Sequence, residues 1–166
     1  MNRRHMLMSA ASLICAGPQA LKAQPMTPAL AGQTLDGKAY DLAQDRGKVV
    51  LVFFWSTSCA VCRDKMPELR ANYEAWREKA FQIVAVCTDK SLDDVQAYER
   101  ALSGVVPASQ RFPWIWRAAA GHRDNFGPVA QTPTTVLLDR KGKVVKQWRG
   151  RVAPELWDDI AELVLA

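Results

Sequence analysis

The stretch Lys48 to Cys62, KVVLVFFWSTSCAVC, decides how the chain is read. Its first eight residues form a continuous β-branched and aromatic run without polar alternation, the pattern of a strand buried on both faces of a sheet. Ser56-Thr57-Ser58 interrupts the run. From about Cys59 to Lys79 the apolar residues Met66, Leu69, Tyr73 and Trp76 recur at helical spacing and read as core contacts of a helix that Pro67 is expected to kink near Asp64. Cys59-Ala60-Val61-Cys62 therefore sits where a buried strand gives way to a helix. At that junction free backbone N–H groups and the helix dipole favour an anionic sulfur at the first cysteine. A thiolate is the attacking species in disulfide exchange, and a second cysteine one turn on is placed to resolve the mixed disulfide. Cys59 is the expected nucleophile and Cys62 the buried resolving thiol. A static bridge across so small a loop would constrain the unfolded chain little. A zinc site needs two further ligands, and the other candidates, Cys87, His122 and carboxylates, lack a paired spacing. The expected cofactor is none beyond a redox-active Cys59–Cys62 disulfide, with no metal.

Around this core the order is α/β. Gln33 to Leu35 and Lys38 to Leu42 flank Asp36-Gly37, a hairpin signal. Phe81 to Cys87 (FQIVAVC) is a second buried strand, and Ser91 caps a helix over Leu92 to Leu102, with Asp94 completing a capping box and Gly104 ending it. Phe112 to Trp116 reads as a short strand, with Trp114 and Trp116 either core or a binding ridge, and Arg117 to Asn125 as a short helical turn. Thr134 to Asp139 and Lys143 to Trp148 form a hairpin about Arg140-Lys141-Gly142. Pro154 opens a final amphipathic helix to about Leu165. The succession strand, helix, strand, helix, then strand, strand, helix implies a mixed sheet.

The first 23 residues differ from the rest. Arg3 and Arg4 precede an apolar, small-residue run from Met6 to Ala16 that stops at Gly17-Pro18, with Ala20 and Ala23 as small residues before a cut. This reads as a signal peptide over 1–23, followed by a single domain over 24–166. The paired arginines also resemble a twin-arginine signal. The apolar run is shorter than the roughly 20 residues a spanning helix needs, so a membrane anchor requires an uncleaved signal. Cys15 lies in this run behind the bulky Ile14, unlike a lipoprotein acceptor. The formal charge of +5 draws three of its 22 basic residues from this segment, leaving 19 against 17 acidic ones. Such an interspersed surface is not a phosphate-binding face, and nucleic acid is set aside. Three cysteines then stand in the mature chain, an odd number that argues against a purely structural disulfide framework.

Val52-Phe53-Phe54-Trp55-Ser56-Thr57-Ser58-Cys59-Ala60-Val61-Cys62, Met66-Pro67-Glu68-Leu69, Thr132-Pro133-Thr134-Thr135 and Asp139-Arg140-Lys141-Gly142 together resemble the TlpA/ResA branch of the thioredoxin superfamily, from about Pro28 to the C-terminus. The resemblance implies a thioredoxin-like fold with an N-terminal hairpin extension and a central sheet flanked by helices. It implies a cis proline at Pro133 facing the cysteine pair, backbone contacts from Thr132 to a bound peptide, and Trp55 as the aromatic beside the cysteines. It further implies a periplasmic reductase of disulfides in exported proteins, such as apocytochrome c or copper-site proteins, recharged by a membrane electron donor of the DsbD/CcdA type. The chain departs from the pattern in three places. Phe53 stands where thioredoxin has a buried aspartate, which leaves Asp89 as a guess for the proton acceptor. Ser58 replaces a tryptophan, and Ala60-Val61 lacks the Pro or His of familiar pairs.

Two other functions use the same residues. A Sco-type copper chaperone would employ Cys59, Cys62 and His122, but those proteins space their cysteines by three residues. A peroxiredoxin would have Pro and Thr where this chain has Val52 and Ser56. Cys87 reads as a buried small hydrophobe.

Overall fold

The structure is a computed structural model that describes residues 26–166. The expected signal peptide over 1–23, with Cys15, lies outside the described residues. The run that opened the sequence reading forms strand β3 (Val49–Trp55), all seven residues of which are buried. It is the centre of a five-stranded sheet whose order is β5 (Trp114–Trp116), β4 (Phe81–Cys87), β3, β7 (Thr134–Leu138) and β8 (Val144–Arg149). β3 runs parallel to β4 and antiparallel to β7, and β7 and β8 form the expected hairpin.

Helix α1 (Ala60–Ala75) connects β3 to β4, and helix α2 (Leu92–Ser103) connects β4 to β5. Both connections step the same way along the sheet, so right-handed crossovers deliver both helices to one face. The first core cluster agrees: Leu51, Phe53 and Trp55 of β3 meet Met66 and Leu69 of α1, Val95 of α2 and Leu156 and Ile160 of α3 (Leu156–Leu165). The other face of β3 turns Val50, Val52 and Phe54 toward Leu30, Tyr40, Leu42 and Ile115.

That second face is covered by a small three-stranded sheet of order β2 (Ala39–Asp41), β1 (Leu30–Gln33), β6 (Arg123–Asp124). The hairpin turns at Gly37, whose φ of 82° suits a residue without a side chain, although its first strand begins at Leu30 and not at Gln33. Where a short helical turn is expected over Arg117 to Asn125, residues 117–121 form hydrogen-bonded turns without a helix, the Ala119 amide donating to the Trp116 carbonyl and the His122 amide to the Ala119 carbonyl. Arg123 and Asp124 then pair with Ala31 and Leu30, held against β1 by the bidentate Arg117–Asp124 pair at 2.7 Å and by Asn125, whose side-chain oxygen accepts from the Ala29 amide.

Sheet edges are protected at both ends. Thr34 bridges Ile115 and the Leu35 amide donates to the Trp114 carbonyl, closing the β5 edge. β8 is exposed but carries Lys146 and Arg149 among its residues, charges that discourage pairing with another chain. At the helix starts, the Ser91 hydroxyl accepts from the Asp94 amide, as its position implied, and α1 continues through Pro67.

Leu137 is fully buried between β3 and β8. Leu137→Ala is predicted to cost about 2–5 kcal/mol in urea unfolding of the oxidised protein without altering the denaturant slope. A loss within experimental error would contradict the placement of this strand.

Candidate active site

The cysteine pair stands at the carboxyl end of β3, where the chain must leave the sheet. The Trp55 carbonyl is held by the Thr88 amide and hydroxyl at 2.8 and 3.0 Å, so the turn starts from a fixed strand end. Ser56 to Ser58 then make the turn. The Thr57 amide donates to Asp89 Oδ2 at 2.9 Å and Arg63 Nη1 donates to the Thr57 carbonyl at 2.5 Å, which ties the turn both to the loop after β4 and to the first turn of α1.

Cys59 is the N-cap of α1, with extended backbone, and its Sγ accepts a hydrogen bond from the Cys62 amide at 3.1 Å. Sulfur thus takes the place that a Ser or Asp oxygen commonly holds at a helix start. Cys59 and Cys62 are joined by a disulfide, with their Cα atoms 5.2 Å apart. Cys62 is fully buried in the helix-side core, whereas Cys59 is partly exposed. The two sulfurs are therefore not equivalent: only the first is open to another molecule.

Thr132 and Pro133 come to this turn through strand register. β7 pairs with β3 such that Phe54 faces Thr134, and two residues further the same register sets Thr132 against Ser56. Their hydroxyls lie 3.4 Å apart. The Thr132–Pro133 bond is cis, Pro133 is buried and Thr132 half-buried, and the Pro133 carbonyl accepts from the Gly150 amide at 2.7 Å.

Trp55 is placed differently from the expectation. It is 0 % exposed, packed against Trp114 and Tyr98 with ring centroids 4.8 and 5.2 Å away, because an odd-numbered position of β3 points under α1 into the core. Its side chain lies in the core cluster that also holds Cys62, beneath the pair and not on the surface. Trp116 donates its indole N–H to the Asp89 carbonyl at 2.7 Å. Trp114 is core.

Cys87 is buried at the end of β4, as expected, and its contact with Asp89 is not evident from sequence. Cys87 is buried and donates its thiol proton to Asp89 Oδ2 at 3.1 Å, the same oxygen that receives the Thr57 amide. Asp89 is thus an anchor for the turn, and its bonds go to Thr57 and Cys87, not to either sulfur of the pair. Phe53, at the position of thioredoxin's aspartate, is fully buried in the core. His122 is remote from this constellation in its bonding: its Nε2 meets Asp124 Oδ2 at 2.7 Å beside the Arg117 pair on the small sheet. Among the described residues no three His, Cys, Asp or Glu side chains form a metal-sized group.

Burial pushes the Cys87 thiol up to about 12 from its ordinary 9.0, with the Asp89 carboxylate adding to the effect and the Asp89 backbone amide opposing it. The folded chain keeps a proton that the unfolded chain releases near pH 9, so this group's stabilisation is lost as pH rises from about 9 to 12. Each pH unit in that window removes at most about 1.4 kcal/mol. Between roughly pH 8 and 10, the stability of Cys87→Ala is predicted to improve relative to wild type in urea unfolding. A gap independent of pH would contradict a neutral, buried thiol.

Comparison with known proteins fits this geometry. Residues 24–153 match the AhpC/TSA family. The thiol-disulfide oxidoreductase ResA of Halalkalibacterium halodurans is 27% identical over 132 residues, covering 80% of this chain and 71% of that protein. The thiol-disulfide oxidoreductase ResA of Bacillus thuringiensis strain Al Hakam is 31% identical, covering 73% and 66%. The crystal structure of a thioredoxin-family thiol:disulfide interchange protein from Chlorobium tepidum TLS shares the fold, with a TM-score of 0.66 at 24% identity over 87% of this chain and 99% of that one. The chain belongs to the AhpC/TSA family, as a thioredoxin-fold, ResA-like thiol–disulfide oxidoreductase whose cysteine pair is Cys59 and Cys62.

Proposed function

We propose that the protein is an exported reductase of disulfides in other exported proteins, with Cys59 as nucleophile and Cys62 as resolving thiol. The observation that carries this is the asymmetry of the pair: a partly exposed sulfur at a helix N-cap bonded to one that is wholly buried. The structure holds the oxidised form. In the reduced form the Cys59 thiolate attacks a substrate disulfide, making a mixed disulfide and releasing one substrate thiolate. Cys62 then loses its proton, and its thiolate attacks Cys59 Sγ. This re-forms the Cys59–Cys62 disulfide and frees the second substrate thiolate, so two electrons pass to the substrate.

Among the described residues no carboxylate bonds to Cys62, and Phe53 stands at the place of thioredoxin's aspartate, so the Cys62 proton leaves to water or to the departing substrate thiolate. Thr132 supplies backbone groups for a bound peptide alongside Cys59, a role supported by its seat against Ser56 and by the family resemblance. Apocytochrome c and copper-site proteins are the substrate classes that the resemblance favours, with a membrane donor of the DsbD/CcdA type returning electrons to the pair. Export rests on the character of residues 1–23, read as a cleaved signal that delivers the chain to the periplasm. Among the described residues no helix is long and apolar enough to cross a membrane.

The order of attack has a direct test. Cys59→Ser is predicted to abolish insulin reduction, whereas Cys62→Ser is predicted to accumulate a mixed disulfide visible on a non-reducing gel and released by dithiothreitol. Retained turnover in Cys59→Ser, or trapping by Cys59→Ser in place of Cys62→Ser, would reverse the assignment.

A further inference from the structure

Arg70 lies on α1 eight residues beyond Cys62, about 12 Å along the helix from the redox site. It is only 8 % exposed, yet its guanidinium has neither a hydrogen bond nor an ion pair among the described residues. It lies over the face of Trp114, 5.7 Å from the guanidinium carbon to the ring centroid. The fully buried side-chain nitrogens and oxygens without a partner are those of Trp55, His122 and Thr135, so the Arg70 guanidinium is not sealed in the core and opens onto solvent, free to take a ligand's charge.

The guanidinium borders a cleft of about 360 Å³ between α1, α2 and the N-terminal hairpin, a size within the range of small-molecule sites. Its walls are mixed: Leu35, Leu102, Phe112 and Trp114 form an apolar and aromatic part, and Thr34, Gln44 and Gln110 with the charged residues form a polar one. The other charges there are already matched. Asp36 pairs with Lys38 at 2.7 Å, and Glu99 with Arg111 at 3.7 Å. Among the described residues, what is left without an ion-pair partner in the cleft is the positive charge of Arg70, beside Trp114. Burial also holds the Tyr73 phenol above its ordinary value, so it stays a neutral hydroxyl beside that charge.

We propose that this cleft binds a small organic monocarboxylate with an aromatic or branched apolar body, its carboxylate on Arg70 and its body between Phe112, Leu102 and Trp114. A single negative charge completes the local balance, and a flat planar fork suits a carboxylate's two oxygens. The site is separate from the cysteine pair and holds whether or not the reductase reading does.

Calorimetric titration with phenylacetate tests it, with phenylacetamide as a probe of the same shape and no charge. Phenylacetate is expected to bind saturably, and phenylacetamide, or phenylacetate on Arg70→Met, about 10- to 100-fold more weakly, the worth of one charge-assisted hydrogen-bonded contact. Leu102→Trp, which fills the cleft and leaves Arg70 in place, is expected to weaken phenylacetate similarly, so the test does not depend on Arg70→Met folding. Equal affinity for acid and amide, undiminished binding to Leu102→Trp, or no saturable heat with the wild type would overturn the proposal.

Discussion

β3 has no free face, and this constraint organises the molecule. Seven consecutive buried residues require a strand on either side and a layer above and below. The parallel β4 supplies one neighbour and the antiparallel β7 the other. The helices cover one face because both crossovers step in one direction, and that leaves the opposite face to the small sheet of β1, β2 and β6. Once β3 is locked on all sides, its carboxyl end is a fixed platform from which only one chain direction is open.

The chemistry follows from that platform. The turn of Ser56 to Ser58 is pinned through Thr57 by Asp89 and Arg63, so α1 begins at one place and Cys59 caps it. A sulfur that already accepts a backbone N–H is surrounded by the groups that would stabilise its anion. Cys62, one turn along, is carried into the core with Met66 and Leu69. Exposure of one sulfur and burial of the other is thus a consequence of helix geometry on a buried sheet, and the same register that seats β7 brings Thr132 and Pro133 to the exposed one.

Much of this was legible in the residues because the signals were local. An unbroken apolar run, a helical apolar spacing, a Ser cap and an Asp-Gly turn each state their own element, and β4 has the bounds its sequence implies. What escaped notice depends on partners distant in the chain. Arg123-Asp124 has no strand pattern of its own and becomes one through Arg117 and Asn125 meeting β1. The family resemblance placed Trp55 as the aromatic beside the cysteines, and alternation along β3 turns its side chain into the core. Asp89 and Cys87 were visible as residues and silent as a pair, since Asp89 can accept from both the Cys87 thiol and the Thr57 amide only where β4 ends level with β3. Arg70 carries no signal of its own in the sequence, because its surroundings come from the hairpin and α2.

The account stands on Cys59 being an anion under the conditions where exchange occurs. The most direct measurement is the pH dependence of iodoacetamide alkylation of the reduced protein, resolved by residue in a mass spectrometer. The rate at Cys59 is predicted to rise through a midpoint clearly below the free-thiol value of about 8.5, with Cys62 unreactive until far higher pH. A Cys59 midpoint at or above that value, or Cys62 labelling first, would contradict it.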